Sequence, residues 1–172
     1  MTRPAETHAR GFTLIELVVS IVAAGILFAL LSTVLGPEAV RSTAPLFSLR
    51  ATELGQSYLE EILGKRYDHN DPPGSRPRCG EAGAPACAGL GTDGQSRNQY
   101  DDADDYNGLN ETPIDASGAV RPGYSDFRVA VAVSLAGTEL GLASNADAKR
   151  ISLTVTDPQG GTHRFSAYKT HL

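Results

Sequence analysis

The sequence predicts an α+β fold: a long N-terminal helix, apolar in its first half and amphipathic in its second, packed on a C-terminal antiparallel β-sheet. Three observations predict it. Phe12 to Leu35 is a 24-residue apolar run with a single charge, Glu16. From Phe47 to Ile62 apolar residues recur at helical spacing. From Phe127 onward the pattern changes to strict alternation, the period of a half-buried strand.

A chain of 172 residues has room for one modest core plus accessory segments. Its formal charge is −5 and it contains no cluster of Lys and Arg. Nucleic acid is therefore excluded as an expected partner, because neutralising phosphates needs a basic stripe. The histidines His8, His69, His163 and His171 are scattered, and they read as surface positions. No nucleophile–base signature, P-loop or GxGxxG after a strand is present. Enzymatic chemistry, metal ligation and cofactor binding are not expected.

The apolar run is too long for the core of a secretory signal peptide, and no small-residue cleavage site follows it. As a helix it spans about 36 Å, enough for a hydrocarbon layer of about 30 Å with some tilt. Arg3 and Arg10 precede it, which places the N-terminus in the cytoplasm by the positive-inside rule and the bulk of the chain outside. Gly25 is compatible with a membrane helix, where glycine permits close packing. Pro37 and Pro45 each remove a backbone donor, so a kinked or partly unwound joint is expected between two helical stretches.

Helix is predicted again from Leu46 to Tyr67. Phe47, Ala51, Leu54, Tyr58 and Ile62 form one apolar stripe, with Arg50, Glu53, Gln56, Glu60 and Lys65 mostly elsewhere. A continuous helix from Phe12 to Tyr67 would be about 84 Å long, too long for so small a domain to bury alone. Residues 68–123 are rich in Gly, Pro, Asp and Asn, show no sustained period, and begin with the turn cluster Asp71-Pro72-Pro73-Gly74. Within them Cys79 and Cys87 enclose seven residues. In an exported chain the simplest reading is one short disulfide; two cysteines with no adjacent His make a poor zinc site. Phe127, Val129, Val131, Val133 and Leu135 share one face of a first strand. Ile151, Leu153 and Val155 make a second, and Asp157-Pro158-Gln159-Gly160-Gly161 turns into a third, Thr162 to Lys169, with Phe165 inward.

The acidic run Asp101-Asp102-Ala103-Asp104-Asp105 invites a calcium reading. The EF-hand spacing fails: counting back from Gly108, the first ligand falls on Ala103 and the twelfth on Ile114. A solvated, charged loop is the expectation.

The stretch Gly11-Phe12-Thr13-Leu14-Ile15-Glu16 resembles the leader-peptidase signal of type IV pilins and type II secretion pseudopilins. That pattern is a short basic leader, Gly before the scissile bond, Phe after it, and Glu five residues into the mature chain. The resemblance implies a pilin-like fold, cleavage between Gly11 and Phe12 by a prepilin peptidase, and N-methylation of Phe12. It divides the chain into a cytoplasmic leader (1–11), a transmembrane or filament-core helix (12–35), an amphipathic continuation (36–67) and a periplasmic head (68–172). Losing Arg3, Glu6 and Arg10 removes a net charge of +1 and takes −5 to −6. Arg50-Ala51-Thr52-Glu53-Leu54-Gly55-Gln56, Glu60 to Tyr67 and Asp101 to Tyr106 further resemble MshD-type minor pilins of the mannose-sensitive haemagglutinin (MSHA) pilus. The implied partners are other pilin subunits, the peptidase and the inner membrane. A secretion pseudopilin, or a membrane-anchored periplasmic binding module with an uncut signal anchor, are the other readings.

Within this resemblance two residues carry chemistry. A carboxylate at a bilayer centre costs about 2.5–3.5 kcal/mol, so Glu16 reads as a docking charge. It would pair with the amine of Phe12 on a neighbouring subunit rather than be an incidental polar group at the interface. Gly11 gives a peptidase close backbone access that a side chain would obstruct.

Overall fold

The computed structural model describes residues 13–35, 44–72 and 76–171. The chain divides into two compact units, 1–45 and 46–172. In the first unit, helix α1 runs from Leu14 to Leu35. Thr13 precedes it, and its hydroxyl lies 3.4 Å from the Glu16 amide, satisfying one of the free donors at the helix start. The Pro37 joint predicted from the sequence lies outside the described residues.

Helix α2 (Ala44–Gly64) leads into the second unit. Pro45 falls in its first turn, where a missing N–H costs no helical hydrogen bond. The helix ends at Gly64, three residues short of the sequence expectation. Arg66 instead exchanges backbone hydrogen bonds with the acidic segment: Arg66 N donates to Asp101 O (3.1 Å), and Ala103 N donates to Arg66 O (3.1 Å). The last turn of α2 contains no basic residue; Lys169 supplies the charge from across the fold, donating to Leu63 O at 2.7 Å.

The sheet is a four-stranded antiparallel meander in the order β1–β2–β3–β4. Its strands are β1 (Asn110–Glu111), β2 (Arg128–Leu135), β3 (Ala148–Thr156) and β4 (Thr162–Thr170). Residues 68–123, read as without regular structure, contribute the short β1 and two 3-10 turns, Arg97–Gln99 and Asp104–Tyr106. The predicted alternation sets the register. Val131 faces Leu153, which faces Phe165; Val133 faces Ile151, which faces Ala167. These rows point one way and meet the stripe of α2, so Ala51, Leu54, Tyr58 and Ile62 share a buried core with Phe127, Val129, Val131, Ile151, Leu153 and Val155. Leu135, predicted on the same face, lies at the strand end and is exposed. Helix and strand come closest at Gly55, where a Cβ would lie 2.6 Å from the Phe165 ring.

Candidate functional site

Two regions concentrate chemistry: the N-terminal segment and the loops that cross between α2 and the sheet. In the first, Gly11 and Phe12 lie outside the described residues. Glu16 lies in the first turn of α1, exposed, with no side-chain partner among the described residues. All the large apolar side chains around it are exposed too, from Leu14 (83 %) to Phe28 (75 %) and Leu31 (55 %). The span Leu14–Thr33 is long and apolar enough to cross a membrane. Its hydroxyls add no polar face. Ser20, Ser32 and Thr33 each turn back to a carbonyl of their own helix, at 2.7, 2.8 and 2.7 Å. A helix that exposes so much apolar surface needs lipid or other helices around it.

In the second region, Cys79 and Cys87 are joined in a disulfide. The closed loop is tied down by Asp71, which accepts from Cys79 N (2.8 Å) and faces His171 Nε2 (2.9 Å). His171 stacks on Tyr67 with ring centroids 4.1 Å apart. The expectation that all the histidines are surface positions is therefore corrected for His171, whose side chain is 11 % exposed. Its aromatic face and carboxylate partner hold it in the fold.

The acidic segment also departs from expectation. It is not a solvated loop: Asp102, Asp104 and Asp105 are buried. The reason is local hydrogen bonding. Asp102 Oδ1 accepts from the amides of Asp104 (2.7 Å) and Asp105 (3.1 Å), and Asp105 Oδ2 accepts from those of Asp101 (2.8 Å) and Asp102 (3.2 Å). Carboxylates caught in their own backbone turn inward with it. Buried Lys149 answers part of this charge, donating to Asp104 Oδ2 (2.5 Å) and Tyr67 O (2.6 Å), with its ammonium 4.0 Å from the centre of the Tyr67 ring. Burial pushes the Asp104 carboxyl up to about 7; Lys149 opposes the rise, and Asp102 and Asp68 add to it.

A third cluster clasps the crossing loop to α2. Arg97 donates to both oxygens of Glu61 (2.9 and 3.3 Å) and to Glu111 (3.2 Å), its guanidinium 4.9 Å from the centre of the Tyr106 ring. Tyr106 donates to Glu61 (2.6 Å) and Tyr58 to Glu111 (2.8 Å). Burial pushes Glu61 up, but the bonds from Arg97 and Tyr106, with the charges of Arg97 and Lys65, hold it below its ordinary value. Beside this cluster an open polar groove of about 840 Å³ is lined by Ser57, Glu61, Lys65, Arg97, Asp115 and Arg121. Lys149, Arg97 and Asp68 went unnoticed in the sequence. Only Lys149 had a signal, since it continues the inward alternation of Ile151, Leu153 and Val155 by one step.

A family model described as the prokaryotic N-terminal methylation motif matches residues 7–32. That segment includes Gly11, Phe12 and Glu16 and most of α1, and it supports a type IV pilin-like or pseudopilin-like protein with a structural role. Searches of curated proteins and of solved structures find no match.

Proposed function

We propose that the chain is a minor pilin of an MSHA-like type IV pilus, made as a prepilin. It is cut between Gly11 and Phe12, N-methylated on Phe12, held in the inner membrane with its second unit in the periplasm, and then built into a surface filament for adhesion or motility. The observation that supports the pilin part of this reading is the methylation motif over residues 7–32, which covers most of an exposed apolar helix; the MSHA assignment rests on the resemblance of residues 50–56, 60–67 and 101–106. In the membrane that helix is solvated by lipid. In a filament, neighbouring helices replace the lipid, and small residues such as Gly25 allow them close approach. Glu16 is then the one charge to be satisfied, and the amine of Phe12 on a neighbouring subunit is its partner. An unpaired buried carboxylate is costly, so pairing favours insertion in one register.

The test begins with the N-terminus of protein isolated from membranes and from sheared fibres, read by mass spectrometry. N-methyl-Phe12 is expected; Met1 at the N-terminus of every form would overturn the reading in favour of a signal-anchored binding module. Glu16→Val should leave cleavage intact and deplete the protein from filaments in immunogold labelling, and normal incorporation would sink the docking role. Which fibre it co-purifies with separates the pilus from a secretion pseudopilus.

A further inference from the structure

The buried acidic segment holds more negative charge than its surroundings answer. Asp68, Asp102, Asp104 and Asp105 are each 1 % exposed or less, and the buried cation among the described residues is Lys149. Lys149 is committed to one side of the group: it bonds Asp104 and lies 3.8 Å from Asp68 Oδ2. Arg66 pairs with Asp101 at the rim, and His69 Nδ1 lies 3.4 Å from the same carboxylate. Asp102 and Asp105 make no ion pair among the described residues, and the Lys149 charge reaches Asp102 only from beyond ion-pair distance. Backbone amides take one oxygen of each, but an amide dipole brings no net charge. The second oxygen of each, Asp102 Oδ2 and Asp105 Oδ1, is buried with no hydrogen-bond partner among the described residues, as are Asp68 Oδ2 and Asp104 Oδ1. Orphaned carboxylate oxygens of this kind are rare in folded proteins and call for an explanation.

Position supplies one. One ligand atom from each of Asp101, Asp102 and Asp105 lies within 4.8 Å of the other two, and the same holds for His69, Asp93 and Asp102. The two triads share Asp102. The geometry points to a site for a hard divalent cation, calcium by ligand type, on Asp102 and Asp105, with Asp101 beside them, Asp93 within reach of Asp102, and water filling the rest of the shell. Carboxylate oxygens select hard cations. Calcium accepts an irregular shell of 6–8 oxygens, whereas magnesium demands a near-regular octahedron. The EF-hand count fails because these ligands come from two turns, at Asp93 and at 101–105, rather than from one twelve-residue loop. The site stands apart from the N-terminal signal and does not depend on processing.

The experiment uses the full chain in detergent, stripped with EDTA, and follows thermal unfolding and heat of binding against CaCl2, with MgCl2 and ZnCl2 in parallel. One calcium per chain is expected, with a midpoint rise of about 8 °C at a concentration 100-fold above Kd. Asp102→Asn should abolish the shift. Asp93→Asn, at an exposed position, should leave the fold intact and weaken binding about 10-fold, which keeps the test open if Asp102→Asn does not fold. Asp126→Asn, exposed and remote in sequence from the segment, should change nothing. Equal midpoints in EDTA and saturating calcium would overturn the proposal, and would mean that protonation rather than a metal relieves the charge. Overturning it equally would be a calcium shift that survives both Asp102→Asn and Asp93→Asn, or binding of zinc alone.

Discussion

Replacing Gly55 by Ala tests how closely α2 sits on the sheet. In an ordinary helix interior, Gly→Ala gains about 1 kcal/mol. Here the new Cβ would stand 2.6 Å from two Phe165 ring carbons and 2.9 Å from Cγ, against a comfortable carbon–carbon separation of about 3.5–4.0 Å. The ring must move by about 1 Å. Because Cγ is among the atoms struck, rotating the far edge of the ring does not suffice; β4 or the helix must give. Overpacking of this kind costs about 1–3 kcal/mol, so the net change is a loss of up to about 2 kcal/mol. With Phe165→Ala in the background the obstruction is gone and the same substitution should stabilise by about 1 kcal/mol. The sign reversal is the diagnostic. Urea unfolding read by tyrosine fluorescence suits it, since the chain has no Trp and all six Tyr lie between residues 58 and 168. A Gly55→Ala protein more stable than its parent, or an identical effect in both backgrounds, would refute the argument.

Lys149→Met should cost about 3–5 kcal/mol, because it leaves Asp104 and Asp68 buried without their cation. Adding Asp104→Asn should recover part of that loss in urea unfolding, and a single variant within about 1 kcal/mol of the parent would contradict the pairing. For Glu61 the sign runs with acid. Its folded pKa is depressed, so its contribution is present above the ordinary value of 4.5 and is lost as pH falls through the lower folded value. The stability difference between parent and Glu61→Gln should therefore shrink steadily below about pH 4.5, and a difference constant with pH would count against the clasp.

The sheet and α2 were legible because each shows a single clean period. Ala51, Leu54, Tyr58 and Ile62 can face the core only as a helix, and Val129, Val131 and Val133 only as a strand, so pattern alone chose both elements and the faces they bury. The N-terminal signal was equally plain, being a short motif read at fixed offsets. The crossing loop was not legible. Asp102 and Asp105 look like solvent-exposed acids until the backbone amides they capture are placed, and that capture depends on a turn no periodicity announces. Arg97 is the same case: nothing local distinguishes it from Arg78 or Arg121, and its role comes from Glu61 and Glu111, brought to it from α2 and β1. The need for Gly55 was not legible either, because the ring that requires it is 110 residues later in the chain.

The hydroxyls of α1 have a further consequence. With Ser20, Ser32 and Thr33 bonded to their own helix, the described lateral surface of α1 offers neighbours almost nothing directional to hold. Contact with such a surface depends on shape and dispersion, and it changes little when a neighbour rotates or slides by a fraction of a turn. A bundle of these helices would be strong in sum and smooth in detail, able to stretch without breaking specific bonds. Alignment would then have to come from groups outside this surface.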